Sequence, residues 1–156
     1  MIARVTLLTV TLAVVQPVPA QPVAPKGTVA GQPTLHPDAW ETDVNACLGV
    51  FKQRPRCLTE QFLRVPQREL STFEPPAVQL TETLKRWLGR DDVAALYRVK
   101  DRQLGEWMIV RHFVIESSEG SVRLVRVSFR RILGQWWVHG FRLFDRDEID
   151  RELGLD

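Results

Sequence analysis

From Glu106 to Phe144 the chain runs EWMIVRHFVIE, SVRLVRVSFRRI and QWWVHGFRLF, separated only by SSEG and LG. Runs this rich in β-branched and aromatic residues read as strands. Separators this short suit tight hairpins. The expected unit is therefore an antiparallel meander, preceded by a shorter strand at ALYRV, residues 95–99. Such a meander needs another layer over at least one face, and the residues before it must supply that layer.

They carry helical period. After Pro37 and Asp38 the apolar residues fall at Trp40, Val44, Cys47, Leu48 and Phe51, which predicts a helix over about 38–52. Pro55 breaks it, and Leu58 to Val65 form a second short helix before Pro66. Leu80, Leu84, Trp87 and Leu88 share one face of a third, about 76–88, with Pro75 and Pro76 suited to its first turn and Gly89 to its stop. The closing DRDEIDRELGLD is either a short helix capped by Asp145 or an acidic tail.

The first twenty residues have the pattern of a secretory signal: Arg4, an apolar run from Val5 to Val15, and PVPA ending at Ala20. An uncleaved anchor is the competing reading, but a mostly apolar run of eleven residues falls short of the roughly 20 a spanning helix needs. Residues 21–36 are rich in Pro, Gly and small residues and read as a flexible leader, which leaves 37–156 as a single domain with an acidic C-terminal tail. Export points to a periplasmic or secreted protein, in which Cys47 and Cys57 can pair as a disulfide staple; buried or reactive thiols are the alternative.

Without Arg4 the chain has 20 basic and 19 acidic side chains, so no general attraction to nucleic acid or to anionic membrane is expected. Charge is segregated locally instead. Arg98 to Arg131 holds eight basic and four acidic residues, whereas Phe144 to Asp156 holds two and six. The tail can therefore fold against a basic sheet and mask its arginines, or remain a solvated end.

Hairpin geometry sets which side chains share a face. With Leu133 and Gly134 as a two-residue loop, Arg131 pairs with Trp136, Phe129 with Val138, Ser128 with His139 and Arg126 with Phe141. With a turn centred on Ser118 and Glu119, Trp107 pairs with Arg130, Ile109 with Ser128, Arg111 with Arg126 and Phe113 with Leu124. Met108, Val110, His112, Val114, Trp136 and Val138 then face the helices. Trp107, Arg111, Arg126, Arg130, Trp137 and His139 share the other face, together with Phe141. That aromatic and basic face is the candidate binding surface, for a protein partner, for a second copy, or for an anionic ligand. The plainer alternative is a solvated face on which guanidinium groups and rings cover one another.

No zinc set, phosphate loop or nucleophile elbow is present, so no metal, cofactor or catalytic residue is expected.

Helices, a turn, then a long antiparallel meander, over about Pro37 to Phe144, resembles the NTF2-like superfamily, and the final GQWWVHGFRLF looks like the closing hairpin of many of its small exported members. The resemblance implies an α+β fold, N-terminal helices packed on a curved antiparallel β-meander. It also implies a cavity between sheet and helices, and dimerisation through the sheet in many members. Catalytic members need an acid or base in that cavity, where this chain offers only His112, with Arg123, Arg142 and Glu116 toward its ends, and no family catalytic motif transfers. The leading expectation is a noncatalytic binding or assembly module. The alternative is a small enzyme, or a binder of a small apolar or anionic molecule, using a cavity around Tyr97, His112, Trp136 and Arg142.

Overall fold

A computed structural model describes residues 27–34 and 36–154; the signal-like residues 1–20 and the first part of the leader lie outside the described residues. Three helices precede a four-stranded sheet. They are α1 (Pro37–Gly49), α2 (Pro55–Phe62) and α3 (Leu70–Leu88), with a 3₁₀ turn at Gln67–Glu69 before the last. The strands are β1 (Val93–Leu104), β2 (Met108–Ser117), β3 (Val122–Ile132) and β4 (Gln135–Phe144), and α4 (Arg146–Leu153) closes the chain. The strands pair antiparallel in the order β1-β2-β3-β4, an α+β fold with a curved open sheet.

Local chemistry explains most boundaries. His36 caps α1, its ring accepting from the Asp38 N–H, and Pro37 occupies the first helical position. Pro55 opens α2 rather than merely ending α1, since a missing N–H costs nothing in a first turn. α3 begins at Leu70, earlier than its period predicts, so Pro75 and Pro76 lie inside it. They withdraw the donors that would serve the carbonyls of Ser71 and Thr72, which are exposed and can turn to water instead.

Trp40 is the centre of the core. Its ring lies 5.6 Å from Phe62, 5.8 Å from Phe113 and 5.1 Å from Phe129, and its indole N–H donates to the Gln61 carbonyl at 2.8 Å. Satisfying that donor is what allows a tryptophan to be buried completely. Val44, Cys47 and Leu48 continue the α1 face, and Ala77, Leu80, Leu84 and Leu88 supply that of α3. The Cys47–Cys57 disulfide joins α1 to α2, with Cα atoms 5.5 Å apart.

Part of the expected leader is structured. The Gly31 N–H donates to the Leu63 carbonyl at 2.8 Å, and buried Thr34 bridges to Trp136, its N–H donating to that carbonyl at 2.9 Å. With the Arg64 carbonyl accepting from the Val138 N–H at 2.8 Å, the outer edge of β4 is partly covered.

The register departs from the sequence expectation in two places. The β2–β3 loop has three residues, Ser118 to Gly120, with the Ser117 N–H donating to the Ser121 carbonyl and Gly120 at φ +79°. That one extra residue pairs Met108 with Arg130 and Ile109 with Phe129, and reverses every side chain of β2. Ile109, Arg111, Phe113 and Ile115 face the helices; Met108, Val110, His112 and Val114 face away. The β3–β4 loop is the expected pair, Leu133 and Gly134, both at positive φ, and Arg131–Trp136 and Phe129–Val138 pair as expected. A bulge at His139 then shifts the ladder so that Ser128 pairs with Gly140 and Arg126 with Arg142. Phe141 and Leu143 thereby turn inward, where Phe141 packs 4.8 Å from Phe62. This arrangement buries Phe113 and Ile115 against the helices and packs the partly buried Phe141 on Phe62, while Leu124 and Phe144 are buried on the opposite face.

Candidate functional site

The face away from α1–α3 carries two cross-strand rows that matter. One is Lys100, His112, Arg126 and Arg142, contributed in turn by β1, β2, β3 and β4. The next is Arg102, Val110, Ser128 and Gly140. Side chains directly opposite in a sheet lie about 4.5–5.5 Å apart at Cβ, so the first row sets the cations Arg126 and Arg142 side by side, with Lys100 beyond His112, where repulsion opposes them. Something must neutralise them.

Helix α4 does so. Asp145 caps it in a reciprocal box with Glu148, and Gly154 ends it in the left-handed conformation. The Arg142 guanidinium donates to Glu148 at 2.8 Å, Arg126 donates to Glu152 at 2.7 Å, and His112 Nε2 lies 3.0 Å from the same Glu152 oxygen. Lys100 donates to the Leu153 carbonyl at 3.2 Å, and Arg123, on the helix side over Trp87, reaches Asp145 at 2.6 Å. The acidic segment thus folds onto the basic sheet and pairs with Arg126 and Arg142, whose side chains stay 40% and 54% exposed. Burial alone would raise the Glu152 pKa, but the hydrogen bonds and charges of His112 and Arg126 outweigh it and hold the carboxyl below the usual carboxylate range.

Beside α4 the face remains open as a groove of about 420 Å³. Leu104, Met108 and Val110 form an apolar floor, Lys100, Arg102 and Arg126 a cationic rim, and Glu152 closes one end. Ser128 and Gly140 keep the wall low; a Cβ on Gly140 would stand 3.1 Å from the Ser128 hydroxyl. His112 also lines the groove, and its side chain is only 6% exposed, yet its Nδ1 has no hydrogen-bond partner among the described residues.

The expected binding surface is therefore only partly assembled. Arg126, Arg130 and Trp137 do share the outer face, Arg130 directly opposite Trp137. His139 sits at the bulge, its pKa lowered by burial and then by Arg130, against the opposing charge of Glu69. Trp107 lies in the β1–β2 turn, 55% exposed, outside the groove. Arg111 is a correction: it points to the helices, only 4% exposed, and binds Asp38 at 2.7 Å, Asp101 at 3.2 Å and Glu41 at 3.4 Å.

The alternative cavity set does not converge either. Trp136 is on the helix side, its ring 6.0 Å from His36, whereas Tyr97, His112 and Arg142 lie on the outer face. The same register and bulge that remove Arg111 from this face add His112 and Arg142 to it. A separate groove of about 640 Å³ opens at the end of the helix-side face, between His36, Arg111, Arg131 and Trp136. Its buried arginine is already held by three carboxylates, so it offers less free charge than the outer groove.

Lys100 and Arg102 are functional candidates that sequence reasoning misses. KDRQ, residues 100–103, has no apolar alternation, so β1 was expected to stop at Val99; the pairing of Lys100 with His112 and of Arg102 with Val110 carries the strand to Leu104. The pairing potential of β2's free edge is the signal that points to it. Among the described residues no group of three His, Cys, Asp or Glu side chains could hold a metal ion, and no helix is long and apolar enough to cross a membrane.

No protein-family profile matches the chain, and no curated protein does. Among solved structures it is similar to the solution structure of a SEC-C motif-containing protein from Rhodopseudomonas palustris, with 14% sequence identity and a TM-score of 0.45 over 71% of this chain and 80% of that one.

Proposed function

We propose that this protein is an exported, noncatalytic binding module that holds an anionic partner on the outer face of its sheet. The observation that carries this reading is the cross-strand row Lys100, His112, Arg126 and Arg142 beside a groove with an apolar floor. Cations over apolar side chains suit a ligand that is charged and partly greasy. The groups around the groove serve ion pairing better than chemistry: Ser128 already donates its hydroxyl to the Gly140 carbonyl, and His112 Nε2 is engaged by Glu152. Export is supported by the signal-like start of the chain and by the Cys47–Cys57 disulfide, a bond that persists in oxidising compartments. The order of helices before an antiparallel meander is what supports an NTF2-like architecture.

A fluorescein-labelled hexaglutamate peptide tests the reading by anisotropy at low and physiological salt. Wild-type protein should bind it, more weakly as salt rises. The triple variant Lys100→Gln, Arg102→Gln, Arg126→Gln should lose about tenfold or more, since each rim cation contributes a fraction of a kcal/mol to about 1 kcal/mol. Equal binding by both proteins would sink the proposal. Sedimentation of the same samples reads the variant form in which the partner is a second copy: self-association that the triple substitution abolishes would identify it.

A further inference from the structure

Among the described residues, every carboxylate that pairs with the outer-face side chains His112, Arg126 or Arg142 comes from one segment, residues 148–152. α4 has no fully buried residue: half-buried Ile149 and Leu153 and the polar contacts described above hold it on a face that also carries the buried Leu124 and Phe144. A helix with no fully buried side chain, and with exposed or half-exposed ion pairs, is open to displacement by another anion. The cations beneath it, in contrast, are built into three paired strands and will keep their positions when it leaves.

The match between helix and sheet is also metrical. Glu148 and Glu152 stand one helical turn apart, and residues at that spacing lie about 5–6 Å apart on a helix surface. Arg142 and Arg126, which receive them, are directly opposite across β4 and β3. Adjacent strands are separated by nearly the same distance, about 4.8 Å. The row therefore reads a pair of carboxylates four residues apart on a helix. A phosphate or a lipid headgroup would present its charge at one point rather than two.

Resting on the binding-module reading above, we infer that α4 is a built-in competitor for this site, and that the partner is an acidic helical segment carrying two carboxylates four residues apart. The partner replaces Glu148 and Glu152 on Arg142 and Arg126 and swings α4 off the sheet. His112, whose Nδ1 is buried beside the groove without a partner among the described residues, is the further polar group such a segment can engage.

The experiment uses the full chain and a fluorescein-labelled synthetic peptide with the sequence of residues 145–154, DRDEIDRELG. Three proteins are compared: wild type, the double variant Glu148→Gln, Glu152→Gln, and that variant with Arg126→Gln added. The double variant should bind the peptide about tenfold more tightly than wild type, because two competing ion pairs are gone, and Arg126→Gln should remove the gain. A peptide of the same composition with its two matching glutamates made adjacent should not show the gain. Amide hydrogen exchange in α4 should quicken in the double variant while that in β2 and β3 stays protected, which shows that the variant is folded. If the double variant binds no better than wild type but adding Arg126→Gln to it still weakens binding, the row is a site and α4 is not its competitor. If the adjacent-glutamate peptide, or vesicles of anionic phospholipid, bind the double variant as well as the matched peptide, the helical partner is wrong. If no protein binds any of these anions, the binding-module reading falls with the inference.

Discussion

Replacing Arg111 by methionine tests the whole register through one side chain. The guanidinium is 4% exposed and lies between Asp38, Asp101 and Glu41 at 2.7, 3.2 and 3.4 Å, a cross-tie from β2 to β1 and to the first turn of α1. Removing one partner from a fully buried pair costs about 3–5 kcal/mol. Here Asp38 is 60% exposed and keeps Arg98 at 3.1 Å, so water and a second cation offset part of the loss. We expect about 2–3 kcal/mol at pH 7, or a fall in Tm of about 6–12 °C for a domain of this size. Were Arg111 on the outer face, the change would stay within about 0.5 kcal/mol.

The cost should also depend on pH with a defined sign. Burial works to raise the Asp38 pKa, but the hydrogen bond and charge of Arg111, then His36 and Arg98, outweigh it and set it below the ordinary value. A carboxylate with a depressed folded pKa contributes stability that is present above its unfolded pKa of about 3.9 and is lost as pH falls through the folded value. The Arg111→Met variant lacks the main source of that stability. The gap between the two proteins should therefore be full at pH 7 and narrow below about pH 4. Urea unfolding followed by tryptophan fluorescence, with the disulfide intact, measures it at both pH values. A cost under about 0.5 kcal/mol at pH 7 would refute the inward placement of Arg111 and with it the register of β2.

Substituting both Cys47 and Cys57 by alanine should lower stability by about 2.5–3 kcal/mol, the chain-entropy value for so short a loop, and the variant should no longer respond to reductant in urea melts. Glu152, like Asp38, has a lowered pKa, so the attachment of α4 should be intact above the ordinary carboxylate pKa of about 4.3 and lost as pH falls through the folded value. Methyl resonances of Ile149 and Leu153 should move toward random-coil positions over that range, well before the core unfolds; shifts that stay constant until global unfolding would contradict a charge-held helix.

Much of the architecture is legible without coordinates because it depends on short-range chemistry. Leu133 and Gly134 form the expected two-residue loop, since a tight hairpin needs two positive φ values and supplies them there. Asp145 caps a helix because its side chain meets an orphan N–H within one turn. The helical faces around Trp40 and Leu84, the pairing of Cys47 with Cys57, and the collapse of an acidic tail onto basic strands likewise follow from spacing or from opposite charge.

The face of β2 could not be read in that way. Met108, Val110 and Val114 in one phase, and Ile109, Phe113 and Ile115 in the other, are both apolar, so alternation alone does not choose between them. The choice rests on one additional loop residue at Gly120 and on the His139 bulge, and both are set by how much aromatic and aliphatic surface the helices can cover. Composition and period thus determined the elements, their order and their hairpins. The three-dimensional packing decided which residues meet: it drew Arg111 into an ion cluster, placed His112 and Arg142 beside Arg126, and brought in Lys100 and Arg102 from a strand end with no period to announce it. Side-chain period is a property of neighbours in sequence, whereas the phase of a sheet is settled by burial against elements far along the chain.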